Sequence, residues 1–314
     1  MLRIEYQLLA AFGLDLIIGD PRWLPHPVRG LGRLAETTER VTRRWLRPAR
    51  LAGMAAVLLV VGGAALLSWG SLRLANAFGS WLADVVAIYL MYSSIAARDL
   101  VRHARRVQQA LARYDLPLAR RCLALMVGRD TERLPEAEII RATVESVAEG
   151  MVDGVTGALF FGFLAGAVGA ITYRAVNTLD SMFGHKTARY LKFGWAAARL
   201  DDAANWLPAR LTGVLVSPAA WLMGQDGRAA WRIMRRDARR HASPNAGFPE
   251  SAVAGALAVQ LGGRNYYDGQ PMDTARLGDA LQPLTHRHIT LVNRLMLLTV
   301  TLFLLLGFVL RATW

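Results

Sequence analysis

The sequence predicts an all-α, polytopic integral membrane protein with about four to six membrane-embedded helices, some of them short or re-entrant, plus cytoplasmic amphipathic helices. Three observations predict it. Of the 314 residues 54% are hydrophobic, and the mean hydropathy of +0.25 is too high for a soluble domain of this size in a chain too long for a single anchor. Residues 51–72 and 154–173 are free of charge, and each is long enough to cross about 30 Å of hydrocarbon as a helix. Basic residues gather beside apolar segments, with eight Arg in 19–50 and ten in 98–141, which places both stretches on the cytoplasmic side. The same clustering accounts for the formal charge of +13 without nucleic acid, since the basic residues do not alternate with aromatics.

The elements follow in order. Residues 6–18 are apolar but interrupted by Asp15 and followed by Gly19-Asp20-Pro21 with no small-residue cleavage pattern, so the N-terminus is expected to be retained rather than removed as a secretory signal. Residues 51–72, bounded by Arg50 and Arg73, are the clearest span. Residues 75–97 return if Asp84 lies near the interface, making a hairpin whose short outer loop carries only Arg73. From 98 to 126 apolar positions Leu100, Val101, Ala104, Val107 and Leu111 recur at helical spacing with Arg between them, until Pro117 breaks the pattern. This is expected to be a solvated or headgroup-facing helical hairpin. In 154–173, Gly162 and Gly166 lie one turn apart and permit close helix packing. Residues 211–225 contain Pro218 with Arg210 at their start, 251–263 are too short to span and read as a buried or re-entrant helix, and 289–310 form the last span, with Arg294 snorkelling. The whole reads as one membrane domain, 1–314, with a cytoplasmic helical insertion at about 98–150.

Acidic side chains near lipid need a cavity, a charge or a metal, and 145–210 holds six: Glu145, Glu149, Asp153, Asp180, Asp201 and Asp202. Glu145, Glu149 and Asp153 are spaced i, i+4, i+8; on a helix they share one face, where they bind a divalent ion such as Mg²⁺ or pair with nearby Arg as a solvated stripe. Asn177-x-x-Asp180 and Asp201-Asp202-x-x-Asn205 add oxygen ligands in the manner of membrane prenyltransferase motifs, or else serve as caps and buried ion pairs. Arg174, Lys186 and Arg210 suit phosphate, and Gly128-Arg129-Asp130-Thr131 offers Arg129 to a phosphate and Asp130 to a metal, or is a loop and cap. Asn245, in Ser243-Pro-Asn-Ala-Gly247 after the Arg-rich 232–240, offers an anion a polar side chain. Gly184-His185-Lys186-Thr187 lacks the earlier glycine of a P-loop, one cysteine (Cys122) and no HExxH argue against zinc and disulfides, and G-x-S-x-G is absent. If 154–173 crossed the bilayer completely, the acidic groups before and after it would face opposite sides. A re-entrant or deeply buried helix is therefore expected there.

Several of these segments together resemble a known set: DLIIGDP at 15–21 with HPV at 26–28, VGRDT at 127–131, ESVAE at 145–149 with VDG at 152–154, YRAVNTLDSM at 173–182, RLDD at 199–202 with NWLPAR at 205–210, and SPNAG at 243–247. In this order, over about residues 10–270, they resemble the membrane-bound adenosylcobinamide-phosphate synthase family of cobalamin biosynthesis. Gly150 departs from the Asn expected after Glu149. The resemblance implies an amide-forming ligase that uses ATP and Mg²⁺ to join an amino-alcohol phosphate, of aminopropanol phosphate type, to the propionate carboxylate of adenosylcobyric acid. It also implies an inner-membrane location with a cytoplasmic active site. Expected partners are those two substrates and membrane lipid, with either a second copy of the chain or other corrinoid-pathway enzymes. Under that reading Asp130, Lys186 and Asp202 are the catalytic candidates, and Arg129, Arg174, Asn177, Asn205, Arg210 and Asn245 bind the phosphorylated substrates. Glu145, Glu149 and Asp153 take one metal, and Asp180, Asp201 and Asp202 another. A Mg²⁺-dependent prenyl or phosphoryl transferase acting on a lipid is the second reading, and a transporter or assembly scaffold the third.

Overall fold

The computed structural model describes residues 2–21, 23–185 and 187–313. In chain order the elements are α1 (Ile4–Ile18), α2 (Pro27–Trp45), α3 (Ala49–Phe78), α4 (Ser80–Ser93), α5 (Ala97–Ala112), α6 (Leu116–Leu123), α7 (Glu136–Met151), a π turn (Val152–Thr156), α8 (Gly157–Phe183), α9 (Trp195–Ala204), α10 (Trp206–Leu222), α11 (Gly227–Asp237), a 3₁₀ turn (Ala238–Arg240), α12 (Gly247–Ala256), β1 (Leu261–Tyr267), β2 (Gln270–Leu277) and α13 (His286–Ala312). Four helical stretches are long and apolar enough to cross a membrane, namely Ala49–Phe78, Ser80–Ala112, Glu136–Phe183 and His286–Arg311. The predicted helical membrane architecture is the observed one. The chain forms two compact units, one of Met1–Ala96, Asp153–Asn205 and Gly307–Trp314, the other of Ala97–Val152 and Trp206–Leu306.

The first unit is built on small residues at four-residue spacing. Ala52, Ala56, Val60, Ala64 and Ser68 are the buried face of α3, and Ile171, Ala175, Leu179 and Phe183 the buried face of α8. With Leu31 and Ala35 of α2 they form one core, in which short side chains let the helices approach closely. A Cβ at Gly53 would lie 1.9 Å from the Phe193 carbonyl oxygen, so backbone meets backbone there. The opposite face of α3 exposes Leu58, Leu59, Leu66, Leu67 and Phe78, as a lipid-facing surface must. α3 runs past Arg73 to Phe78, and the turn into α4 falls on Gly79 (φ 140°, ψ 146°), later than the Arg73 loop read from the sequence. Arg73 stays on the helix because its guanidinium lies over Trp69. Asp84 accepts hydrogen bonds from the Leu2 N–H and Gln7 Nε2, both at 2.8 Å, which satisfies a carboxylate otherwise stranded on an apolar helix.

The decisive feature is the break in α8. Ala165 (φ −137°, ψ 24°) and Gly166 (φ 61°, ψ −150°) leave helical geometry in mid-run, and the chain doubles back. An unbroken helix would hold residues 157 and 173 about 24 Å apart. Instead a Cβ at Gly157 would lie 2.2 Å from Tyr173 Oη, Tyr173 stacks on Phe161 with centroids 5.4 Å apart, and Gly169 abuts the Phe161 carbonyl. Gly166 is the turn itself, and Gly162 packs under Leu8 of α1. The segment 154–173 is thus a helical hairpin that doubles back, the geometry that a re-entrant segment requires.

The second unit places α12, buried along its whole length, among α10, α11 and α7, with α5 and α6 packed on α7. Tyr114 (φ 57°) ends α5, and Asp115 caps α6 by accepting from the Leu118 N–H at 2.9 Å, so Pro117 starts a helix rather than ending one. The buried stretch expected at 251–263 is shorter than predicted: α12 ends at Ala256 and an antiparallel hairpin begins at Leu261. Its turn is Asp268-Gly269, both at positive φ, with Tyr267 paired to Gln270, the Asp-Gly signature of a two-residue hairpin.

In a Cys122→Ser background, Gly154→Cys and Ser181→Cys are expected to react with a membrane-impermeant maleimide from the same side of the bilayer. Labelling from opposite sides would show that 154–173 crosses.

Candidate functional site

The predicted residues fall into two sets, each within one unit. In the first unit the doubled-back hairpin returns Arg174 to the start of its own segment, where Nη1 donates to the Asp153 carbonyl (2.7 Å) and to Asn177 Oδ1 (3.2 Å). Asn205, capping the end of α9, organises the rest. Its Oδ1 accepts from Tyr173 Oη (2.8 Å), and its Nδ2 donates to Asp201 Oδ2 (2.9 Å) and Asp153 Oδ1 (3.2 Å). In this region two buried side-chain atoms, Asp201 Oδ1 and Arg174 Nε, have no hydrogen-bond partner among the described residues. Burial, and next the charge of Asp180, push the Asp201 carboxyl up to about 7. Asp202 is half-buried, with Arg199 Nη1 3.8 Å away. Asp153, Asp180, Asp201, Asp202, Arg174, Asn177 and Asn205 therefore belong to one polar region of this unit. Lys186 lies outside the described residues.

The second unit holds Glu145, whose carboxylate is already saturated. Arg129 Nη2 donates to Oε2 (2.6 Å), and Arg141 Nη1 and the Gly262 N–H donate to Oε1 (2.8 and 2.7 Å). Asn265 Oδ1 accepts from both arginines, at 2.8 Å from Arg129 and 2.9 Å from Arg141. This closed network ties α7 to β1, so Glu145 is not offered to a metal and Arg129 is not offered to a phosphate. Asp130 closes the hairpin turn: its carboxylate accepts from the Asp268 and Gly269 N–H groups at 3.2 and 2.7 Å, and its own N–H donates to the Tyr266 carbonyl. The i, i+4, i+8 stripe does not hold together. α7 ends at Met151 and the π turn shifts the register, so Glu149 is exposed on α7 while Asp153 turns to Asn205. Among the described residues no three His, Cys, Asp or Glu are gathered closely enough to hold a metal by themselves. Gly150 lies against Leu100, where a Cβ would come within 2.8 Å of the leucine side chain, so an asparagine there would require Leu100 to move.

Arg210 lies one turn into α10, flat between Trp206 and Phe248 with ring centroids at 4.2 and 4.4 Å. Its Nη1 reaches Asn245 Oδ1 at 3.5 Å, and burial, with Arg239 close by, lowers its basicity. The SPNAG turn is ordered from within, since Ser243 Oγ accepts from the Asn245 and Ala246 N–H groups at 3.2 Å each. An open cavity of about 860 Å³ lies beside the hairpin, lined by Glu132, Arg133, Leu134, Pro135 and Tyr266 among others. Sequence reasoning missed Tyr173, Arg141 and Asn265. Arg141 was visible four residues before Glu145, but nothing local marks Asn265, which reaches α7 only through the hairpin.

Two outcomes are expected. Glu145→Ala leaves Arg129 and Arg141 buried without their counter-charge and costs about 3–5 kcal/mol, read as a large drop in melting temperature in detergent. Asp201 has a folded pKa of about 7 against an ordinary 3.8, so folding favours its protonated form and its ionisation weakens the fold as pH rises from about 4 through 7. Asp201→Asn should therefore melt higher than the parent at pH 8 and equally at pH 4; an equal margin at both would contradict this.

Residues 8–296 match the family described as CobD/Cbib protein. A Geobacter metallireducens protein named cobalamin biosynthesis protein CobD is 52% identical over 277 residues, covering 88% of this chain and 87% of its own. A Klebsiella pneumoniae protein of the same name is 45% identical with 91% of each chain covered, and the Salmonella typhimurium cobalamin biosynthesis protein CbiB is 44% identical with 94% of each covered. No solved structure matches. With a family match over most of the chain and relatives this similar along nearly their full length, the chain belongs to the CobD/CbiB family of cobalamin biosynthesis proteins.

Proposed function

We propose that this protein is an amide-forming ligase that joins an amino-alcohol phosphate to the propionate carboxylate of adenosylcobyric acid, giving adenosylcobinamide phosphate. A carboxylate is a poor acyl donor, so its oxygen first takes the γ-phosphoryl group of ATP and ADP leaves; the amine then displaces phosphate from the acyl phosphate. The carrying observation is the polar region of the first unit, where one buried carboxylate oxygen of Asp201 and the buried Nε of Arg174 have no hydrogen-bond partner among the described residues. A buried anion and a buried cation left incomplete together suit a ligand that brings both a metal and phosphate oxygens.

The residues fit Mg²⁺ in its usual mode, held by one or two carboxylates and by substrate phosphates rather than by a protein cage. Asp201, with Asp180 and Asp202, would hold the ion, which supplies neutralisation of phosphate charge. Arg174 positions the Asp153 and Asn177 oxygens around that region, and Asn205 holds Asp201 in orientation through Nδ2. Consumption of ATP places the reaction on the cytoplasmic face of the inner membrane, with the corrinoid, the amino-alcohol phosphate and lipid as its partners, alongside a second copy of the chain or other corrinoid-pathway enzymes.

Purified protein given ATP, Mg²⁺, adenosylcobyric acid and aminopropanol phosphate should release ADP and adenosylcobinamide phosphate in equal amounts. Asp202→Asn should lose turnover by more than about 100-fold with its melting temperature unchanged. Consumption of a lipid diphosphate without ATP would instead favour a transferase.

A further inference from the structure

In the first unit, the end of α2 and the start of α3 carry four arginines in eight residues, Arg43, Arg44, Arg47 and Arg50. The acid beside them is already used. Glu39 is buried and pairs with Arg43 at 2.9 Å and with Arg189 at 3.1 Å, so one carboxylate is shared by two guanidinium groups. Arg44, Arg47 and Arg50 are exposed, as is Lys192, and among the described residues none of the four has a carboxylate within ion-pair distance or a side-chain hydrogen bond.

Packing, not charge, places this corner. Gly53, one turn into α3, meets the Phe193 carbonyl, which brings the segment 190–195 against the beginning of α3. Arg50 lies over the Trp195 ring, 4.5 Å from its centroid, and Arg43 over Phe193 at 4.1 Å. A guanidinium held by its face on a ring keeps its N–H donors in the ring's plane for an anion. Apolar side chains accompany the cations: Trp45 is 77% exposed, Leu191 and Trp195 are exposed, and Leu51, Met54 and Leu58 continue along the outer face of α3. Tryptophan and arginine together at the end of an apolar helix mark headgroup depth.

A free phosphate would answer the cations and leave the apolar row unused, whereas a zwitterionic lipid would cover the row and leave the cations unmatched. An anionic head on apolar tails answers both. We propose that the α2–α3 corner binds an acidic phospholipid, its headgroup phosphate on Arg47 and Arg50 and its acyl chains along Leu51, Met54 and Leu58. Arg44 and Lys192 add to the attraction for the negative headgroup. The site is independent of the chemistry proposed above.

The full chain, stripped of lipid in detergent, is titrated with phosphatidylglycerol or with phosphatidylethanolamine of the same acyl length, and bound lipid is counted by native mass spectrometry. Phosphatidylglycerol is expected to bind about 10-fold or more tightly than phosphatidylethanolamine, and Arg47→Gln/Arg50→Gln to weaken it by about 10–30-fold, roughly five-fold for each arginine. Arg47→Lys/Arg50→Lys keeps the charge and should stay within about 3-fold of the parent, as should Arg113→Gln/Arg121→Gln, the same loss of charge outside this corner. Equal affinity of the parent for the two lipids would overturn the site, and so would a glutamine pair at 47 and 50 that binds like the parent. Equal weakening by the Arg113 and Arg121 pair would reduce it to net charge and overturn it too. Displacement of phosphatidylglycerol by an equal concentration of inorganic phosphate would show a phosphate site in place of a lipid one.

Discussion

The first unit depends on the reversal at Ala165 and Gly166. A helix that continued straight from Gly157 would bury its apolar run successfully but would leave Arg174 about 26 Å and Asp180 about 35 Å from its start. By turning back, the chain returns Arg174 to the Asp153 carbonyl and Tyr173 to Gly157. Backbone that leaves helical geometry at such depth survives only when protein surrounds it, and the surroundings here are Ile4 of α1 and Met91 of α4 beside Gly166, with Leu8 over Gly162. Glycine at 157, 166 and 169 is therefore a geometric requirement. At 166 it supplies the positive φ, and at the other two it supplies the space into which an aromatic ring and a carbonyl fit.

Although Glu39 of the first unit is paired with Arg43 and Arg189, the polar networks of the two units hold their buried acids differently. In the second, arginine is abundant, and Glu145 and Asp237 are each clamped by two guanidinium groups and a backbone N–H. Such closed networks cost desolvation energy and return it only with complete hydrogen bonding, which Asn265 and the hairpin amides provide. They fix the β-hairpin to α7. In the first unit Asp153 and Asp201 are instead held by the amide of Asn205, which orients them without neutralising their charge. Rigid positioning by a neutral amide is the arrangement a site needs if a cation or phosphate arrives with the substrate.

Much of this was legible from residue order alone. The spans, the amphipathic α5 with its buried Val101, Ala104, Val107 and Leu111, the doubled-back hairpin and the final helix all follow from hydropathy, charge placement and glycine content. The hairpin at 261–277 was legible too, through Tyr-Tyr-Asp-Gly, but the apolar stretch before it drew the reading toward helix. The i, i+4, i+8 stripe misled for a definite reason. Spacing assumes one continuous helix, and the π turn at Val152–Thr156 inserts a register shift that no side chain in Val-Asp-Gly-Val-Thr announces.

The sequence by itself determined that this is a helical membrane protein of a cobalamin-biosynthesis family, because hydropathy, arginine asymmetry and the order of short motifs are all properties of the linear chain. Which carboxylate is structural and which is available was decided only by tertiary structure. Glu145 and Asp201 look alike in sequence, each an acid at the edge of an apolar run. One meets two arginines that come from a preceding loop and from its own helix; the other meets neutral asparagine side chains and keeps one oxygen unpartnered among the described residues. A carboxylate's chemistry depends on what surrounds it within a few ångströms, and that is set by how distant segments fold together.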